Sequence, residues 1–214
     1  MRSYGQYCAV AKALDAIGDR WTLLIVRELA VRGTCRYTDL RNGLPGIATN
    51  LLADRLRDLE DKGIVRREAA PPPIATTVFQ LTDRGEELRP ILHALGRWGA
   101  SLMFEPADGE AFRGHWFSLP AELFLADHEP DAQPITIELR TGEQPMLIET
   151  ADGEVHARPG TAEHADAVIT GTPQLVLGVL TAKLGLTEAR DLGLRYDGAP
   201  EALRRIQPRA AGVD

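Results

Sequence analysis

The stretch YTDLRNGLPGIATNLLADRLRDLEDKGIVRRE, residues 37–68, decides how the first half of this chain is read. It opens as a short helical segment and breaks at Pro45-Gly46, a pair that punctuates a chain because neither residue favours helix. It resumes as the amphipathic segment ATNLLADRLRDLEDKG. Leu52, Leu56 and Leu59 recur there at helical spacing and form one apolar stripe that must face a core. Gly63 suits the end of this helix, with Lys62 in its last turn. IVRRE then switches to strand-like residues.

Upstream, CAVAKALDAIG reads as a short helix ended by Gly18. RWTLLIVRELAVRG reads as a second, with Trp21, Leu24, Ile25 and Leu29 on one face and Gly33 as its stop. Thr38 is the expected N-cap of the short third helix. Downstream, IVRRE and TTVFQLT flank AAPPPIA, a β-hairpin with a stiff tip. Thr82 caps a long helix that runs through ELRPILHALGRWGASLM, with a disturbance expected at Pro90. Helix, helix, short helix, turn, helix, hairpin, helix is the order of a mainly α winged helix-turn-helix domain.

In a helix-turn-helix the second helix enters the major groove, leading with its N-terminus. With the leucine stripe turned inward, the opposite face carries Thr49, Asn50, Ala53, Asp54 and Arg57. Asn pairs bidentately with adenine and Arg with guanine, while Ala53 is small enough to sit deep or to touch a thymine methyl. Asp54 is awkward beside phosphate and is expected to face a cytosine or solvent. Arg66 and Arg67 at the start of the hairpin, and Arg36 before the third helix, are candidate phosphate contacts, which position the protein while base contacts specify sequence. The bland alternative is an ordinary surface helix with internal ion pairs, Arg55 among them.

Charge separates the chain into unlike halves. Residues 1–104 hold 15 Lys+Arg against 12 Asp+Glu, and residues 105–214 hold 9 against 19, so +3 and −10 make the overall −7. Only the first half is suited to approach nucleic acid. FEPADGE, residues 104–110, reads as the linker between a domain at 1–104 and one at 105–214.

Residues 7–103 resemble the HxlR-type winged helix-turn-helix regulators of bacteria. The marks are YC at the start, IGDRWTLLIVREL, GTCRYTDLRNGLPGIATNLLADRLRDLEDKGIVRRE, VFQLTDRGEELRPIL and RWG. The resemblance implies a homodimeric transcription regulator built on the first and last helices of the domain. Its partner would be double-stranded DNA with a two-fold-symmetric operator. The wing departs from the family pattern: its tip, Pro71-Pro72-Pro73-Ile74-Ala75-Thr76, has no charge. Cys8 matches the N-terminal cysteine that some family members use to sense oxidants or electrophiles. A helix N-terminus favours thiolate, but a free cysteine is more commonly a small buried side chain, and burial is the expectation for Cys8. Cys35 is expected in a loop.

The second half reads as an α+β domain with an antiparallel sheet and helices on one face. AFRGHWFSLPAELFLA is helical with a bend near Pro120. ITIEL, MLIET, EVHAR, DAVITG and LRYDG are strands, with Asp152-Gly153 as a type I′ turn. Thr172-Pro173 opens the helix QLVLGVLTAKLG, and PEALRRI is a last helix. The stretches ITIELRTGEQPMLIETADGEVHARPG and HADAVITGTPQLVLGVLTAKLG resemble, more faintly, the sterol-carrier-protein-like domain. That resemblance implies an apolar cavity for a hydrophobic small-molecule effector, with Trp116, Phe117, Leu123, Phe124, Leu177 and Leu180 as candidate lining. A leucine-rich helix on a sheet is more often plain core, and a filled version of the domain is the competing reading.

Other classes find little support. Ser3, Ser101 and Ser118 lie outside any GxSxG, and neither GxGxxG nor a P-loop occurs, so no enzyme and no cofactor are expected. Five scattered histidines and two cysteines suggest neither a metal site nor a disulfide framework. No apolar run approaches membrane-spanning length and the N-terminus lacks a signal-peptide core, so no membrane partner and a cytoplasmic location are expected. The rival to a DNA-binding repressor is a lipid or small-molecule binding module whose N-terminal domain serves only dimerisation.

Overall fold

The computed structural model describes residues 3–70, 76–103, 110–142 and 144–208. The prolines of the wing tip, and most of the linker at 104–110, lie outside the described residues. The chain divides into two compact units, Met1–Leu95 and Gly96–Asp214.

The first unit begins with α1 (Ala9–Ile17) and α2 (Thr22–Arg32). Gly33 ends α2 with a positive φ of 71°, where glycine avoids the steric cost of a side chain. A two-residue strand β1 (Cys35–Arg36) leads into α3 (Tyr37–Gly43), and a turn joins it to α4 (Thr49–Asp61). The wing is β2 (Val65–Ala69) and β3 (Thr77–Leu81), paired antiparallel from Val65↔Leu81 to Ala69↔Thr77. β1 adds to the other side of β3, giving the order β1-β3-β2. The expected long helix is two, α5 (Asp83–Glu86) and α6 (Arg89–Gly99). The break falls one turn before Pro90, whose ring opposes a continuous helix there. Thr82 caps α5 as expected, its hydroxyl accepting the Gly85 N–H at 3.1 Å. Leu52, Leu56 and Leu59 are buried with Ile25, Val26, Leu29, Leu40 and Phe79 in one core.

Four local expectations are corrected. Thr38 lies inside α3; Arg36 holds the N-cap position and its N–H donates to the Asp39 carboxylate at 2.9 Å. Leu24 is exposed while Val26 takes the core position, because the buried stripe of α2 runs through Thr22, Ile25, Val26 and Leu29 at helical spacing and leaves Leu24 off it. Cys35 sits in β1, fully buried, since pairing with Phe79 draws it into the core. Cys8 is exposed, one residue ahead of α1.

The second unit, beyond the end of α6, has a 3-10 turn at Gly114–Phe117 running into α7 (Ser118–Phe124), so Pro120 lies within the first turn of a helix, where its missing N–H costs no hydrogen bond. β4 (Leu125–Asp127), β5 (Thr136–Arg140), β6 (Met146–Ala151), β7 (Glu154–Pro159) and β8 (Ala167–Thr170) follow. Then come α8 (Pro173–Leu180), α9 (Leu186–Asp191), β9 (Arg195–Gly198), α10 (Pro200–Arg205) and β10 (Ile206–Pro208). Asp152 and Gly153 have φ of 53° and 77°, the type I′ turn expected between β6 and β7. Thr172 caps α8 and Pro173 stands at its start. That helix stops at Leu180, short of the expected end, with Ala182 at a positive φ of 54°.

The main sheet runs β7-β6-β5-β8-β9, and β10 pairs with β4 separately. It is mixed, not antiparallel: β5 and β8 are parallel, Ile137 opposite Ala167. The reason is the return path after β7. Residues 160–166 cross the sheet face opposite the main core, where the Ala162 N–H donates to Glu138 at 3.2 Å and the Asp166 carboxylate accepts the Thr136 N–H at 2.7 Å. Glu138 is buried there; the Arg140 guanidinium, 2.7 Å away, holds its carboxyl below the usual carboxylate range. The other face packs Ile137, Leu139, Met146, Ile148 and Ile169 against residues of α7, α8, α9 and α10, so the helices share one core.

Candidate nucleic-acid interface

The position of α4 is held by three long-range contacts, one of them across the turn from α3. The Tyr37 hydroxyl donates to the Thr49 carbonyl at 2.6 Å. Arg55, on the inner flank of α4, bridges Asp19 at 2.8 Å and Asp58 at 2.6 Å. Lys62 donates to the Ala16 carbonyl at 2.8 Å, tying the end of α4 to α1. Beneath α3, Glu28 is fully buried, with Arg27 Nη2 at 2.7 Å. A Cβ on Gly43 would stand 1.9 Å from Glu28 Oε2, so glycine lets α3 close onto α2.

These contacts fix which face of α4 looks outward. Asn50, Asp54 and Arg57 are exposed opposite the leucine stripe, and Ala53 is half-buried on its flank. Thr49 is a correction to the expected set: it is exposed only as the first residue of the helix, three and seven positions before Leu52 and Leu56 and so nearly in line with them. Arg57 Nη2 lies 2.5 Å from Asp54 Oδ1, one turn back on the same face. Asp54 therefore faces its own arginine, a partner that its expected roles did not include. Arg36, Arg66 and Arg67 are exposed as well. Side chains alternate along a strand, so Arg66 and Arg67 leave opposite faces of the wing. Arg66 pairs with Glu68 at 2.9 Å, on its own strand, and Arg67 with Glu60 of α4 at 3.1 Å. The two wing arginines are thus not one patch.

Tyr37 was not singled out from sequence; a Tyr opening the helix before a Pro-Gly break was the available signal. Arg55 was noted only as an internal pair, and that reading agrees with its partners.

The hydrophobic candidates of the second unit do not form one set. Phe117 and Leu180 are buried in the main core and Leu177 packs against it. Leu123 is buried elsewhere, near Gly96, and Trp116 and Phe124 are half-buried. Phe112 stacks edge-on against Trp116 and Phe117, with ring centroids 6.4 and 5.4 Å apart. Among the described residues, no helix is long and apolar enough to cross a membrane.

A helix-turn-helix with an exposed polar edge on its second helix and a two-stranded wing defines a winged helix-turn-helix DNA-binding unit. The pattern of the HxlR-like helix-turn-helix matches residues 16–106. The uncharacterized HTH-type transcriptional regulator YvaP of Bacillus subtilis (strain 168) is 36% identical over 87 residues, 41% of this chain and 80% of that protein. The uncharacterized HTH-type regulator sll1512 of Synechocystis is 35% identical over 99 residues, 46% of this chain and 73% of that one. The crystal structure of PA1607, a putative transcription factor, is 38% identical, with a TM-score of 0.44, covering 51% of this chain and 74% of its own. The chain belongs to the HxlR-type family of helix-turn-helix transcription regulators.

Proposed function

We propose that the protein is a homodimeric, sequence-specific repressor that sets two copies of α4 into successive major grooves of an operator. The observation that carries this reading is the outward polar edge Asn50-Asp54-Arg57, held opposite the buried leucines, with Thr49 exposed at the leading end of the helix. Half-sites would then lie about 34 Å apart, or a multiple of that. Exposed apolar stripes support the dimer: Tyr7, Val10 and Leu14 on and just before α1, and Ile91, Leu95 and Trp98 on α6. Such stripes cost hydration and favour a partner surface.

The second unit, in this reading, is a non-enzymatic effector module of the sterol-carrier-like type. Burial of Phe117 and Leu180 in its core supports a filled version. Thiol oxidation is the second effector class, and the exposure of Cys8 supports it.

Capture of genomic fragments by the purified protein, followed by footprinting, tests the proposal. Two-fold-symmetric protection that weakens steeply with salt is expected, because bound phosphates release counterions. Sequence-independent binding, together with a hydrophobic molecule retained in native mass spectrometry, would favour the rival binding module. Diamide should release the DNA from the wild type but not from Cys8→Ser; release from both removes the thiol switch.

A further inference from the structure

Arg57 and Asp54 stand on the outward face of α4, joined by a single contact of 2.5 Å. Resting on the reading of α4 as the recognition helix, we propose that Asp54 is a specificity-determining positioning residue. Its carboxylate holds the Arg57 guanidinium for a guanine edge and away from backbone phosphates.

The geometry argues for this in three ways. Arg57 lies about 12 Å along the axis from Thr49, far enough from the leading end for a free arginine to reach either a base or a phosphate. A helical side chain leans over the preceding turn, which is where Asp54 stands, so the pair draws the guanidinium toward the end of α4 that leads into the groove. One guanidinium nitrogen is engaged by Oδ1, and the five N–H donors of the group leave another edge for the O6/N7 pair of guanine.

The pair contributes little to the fold. Its side chains are 68% and 53% exposed, and such pairs are strongly screened. A carboxylate on a DNA-facing surface also repels every duplex alike, whereas the benefit of a positioned arginine accrues only where guanine is met. Specificity is the difference between those two energies. The acids beside Arg66 and Arg67, in contrast, sit on the wing strand and at the end of α4.

The test uses the full-length protein. A preferred duplex is selected from a random library, and affinity for it is compared with that for a scrambled duplex. Asp54→Ala should bind the scrambled duplex more tightly and lower the preferred-to-scrambled ratio about tenfold. In an Arg57→Ala background the same substitution should leave the ratio unchanged. A ratio unaltered by Asp54→Ala overturns the proposal. So does a loss that persists in the Arg57→Ala background, since Asp54 would then read a base itself. Circular dichroism checks folding, and Asp54→Asn is judged by the same criteria should the alanine variant fail to fold. A wild type that selects no sequence overturns the DNA reading and this inference with it.

Discussion

The hydroxyl of Tyr37, the first residue of α3, donates a 2.6 Å hydrogen bond to the carbonyl of Thr49, the first residue of α4. The two helices of the helix-turn-helix are thereby joined across their turn by a side-chain-to-backbone bond that lies outside either helix's own hydrogen-bond ladder. Tyr37→Phe keeps the ring and removes the bond. It should cost about 1 kcal/mol in urea unfolding and weaken binding to all DNA sequences alike, by loosening the angle between α3 and α4.

Two arginines two residues apart on α4 should behave differently. Arg55 bridges Asp19 and Asp58, whereas Arg57 is held outward by Asp54. Arg55→Ala should lower stability by about 1 kcal/mol and keep base preference, because its charges are only partly shielded. Arg57→Ala should leave the unfolding midpoint unchanged and lose base preference in mobility shifts.

Glycine tolerance should follow the rigidity of the neighbour. A Cβ on Gly85 would stand 2.2 Å from the Ile64 carbonyl oxygen, a backbone atom. A Cβ on Gly43 would meet the end of the buried Glu28 side chain. Both substitutions crowd a packed interior, at about 1–3 kcal/mol. Gly85→Ala should be the costlier in denaturant unfolding, since a side-chain end yields more readily than the backbone that connects α4 to β2.

The thiols should separate cleanly. Burial pushes the Cys35 thiol up to about 12, while Cys8 is exposed. Alkylation of the native protein near neutral pH should label Cys8 alone, and both only in denaturant, as read by mass spectrometry. Labelling of native Cys35 would contradict its place in the core.

In the second unit, Arg205 holds Asp127 with two hydrogen bonds, Nε to Oδ1 at 2.7 Å and Nη2 to Oδ2 at 2.8 Å, both side chains buried. It also donates to the carbonyls of Gln133 and Ala132. Arg205→Ala leaves a buried carboxylate unpaired and should cost about 3–5 kcal/mol. The bonds from Arg205 hold the Asp127 carboxyl below the usual range. A carboxyl with a depressed folded-state pKa stabilises above its unfolded value, about 3.9, and loses that contribution as pH falls through the folded value. Urea midpoints should therefore fall with acid below about pH 4, and less steeply in Asp127→Asn, whose baseline is lower.

Much of the outward edge of α4 was legible because a leucine stripe leaves one opposite face. Its ion pairs were not. Whether Asp54 meets solvent, cytosine or Arg57 depends on rotamers, which spacing does not set. Arg66 and Arg67 are neighbours in the string and both are candidate phosphate contacts there, yet strand alternation sends them to opposite faces of the wing. The scattered positions of Trp116, Phe117, Leu123, Phe124, Leu177 and Leu180 show the same limit: apolar character marks burial, not the shape that burial takes.

By itself the amino-acid order determined what a few neighbouring residues can settle. The stop at Gly33, the cap at Thr82, the turn at Asp152-Gly153 and the start at Thr172-Pro173 all depend on backbone dihedrals and on hydrogen bonds within one turn. Only the tertiary structure decided that β1 joins β3, that β8 runs parallel to β5, and that Arg205 reaches Asp127 across 78 residues. Those pairings must repay the entropy of closing long loops, and they do so through burial shared by distant segments. No local window contains that sum.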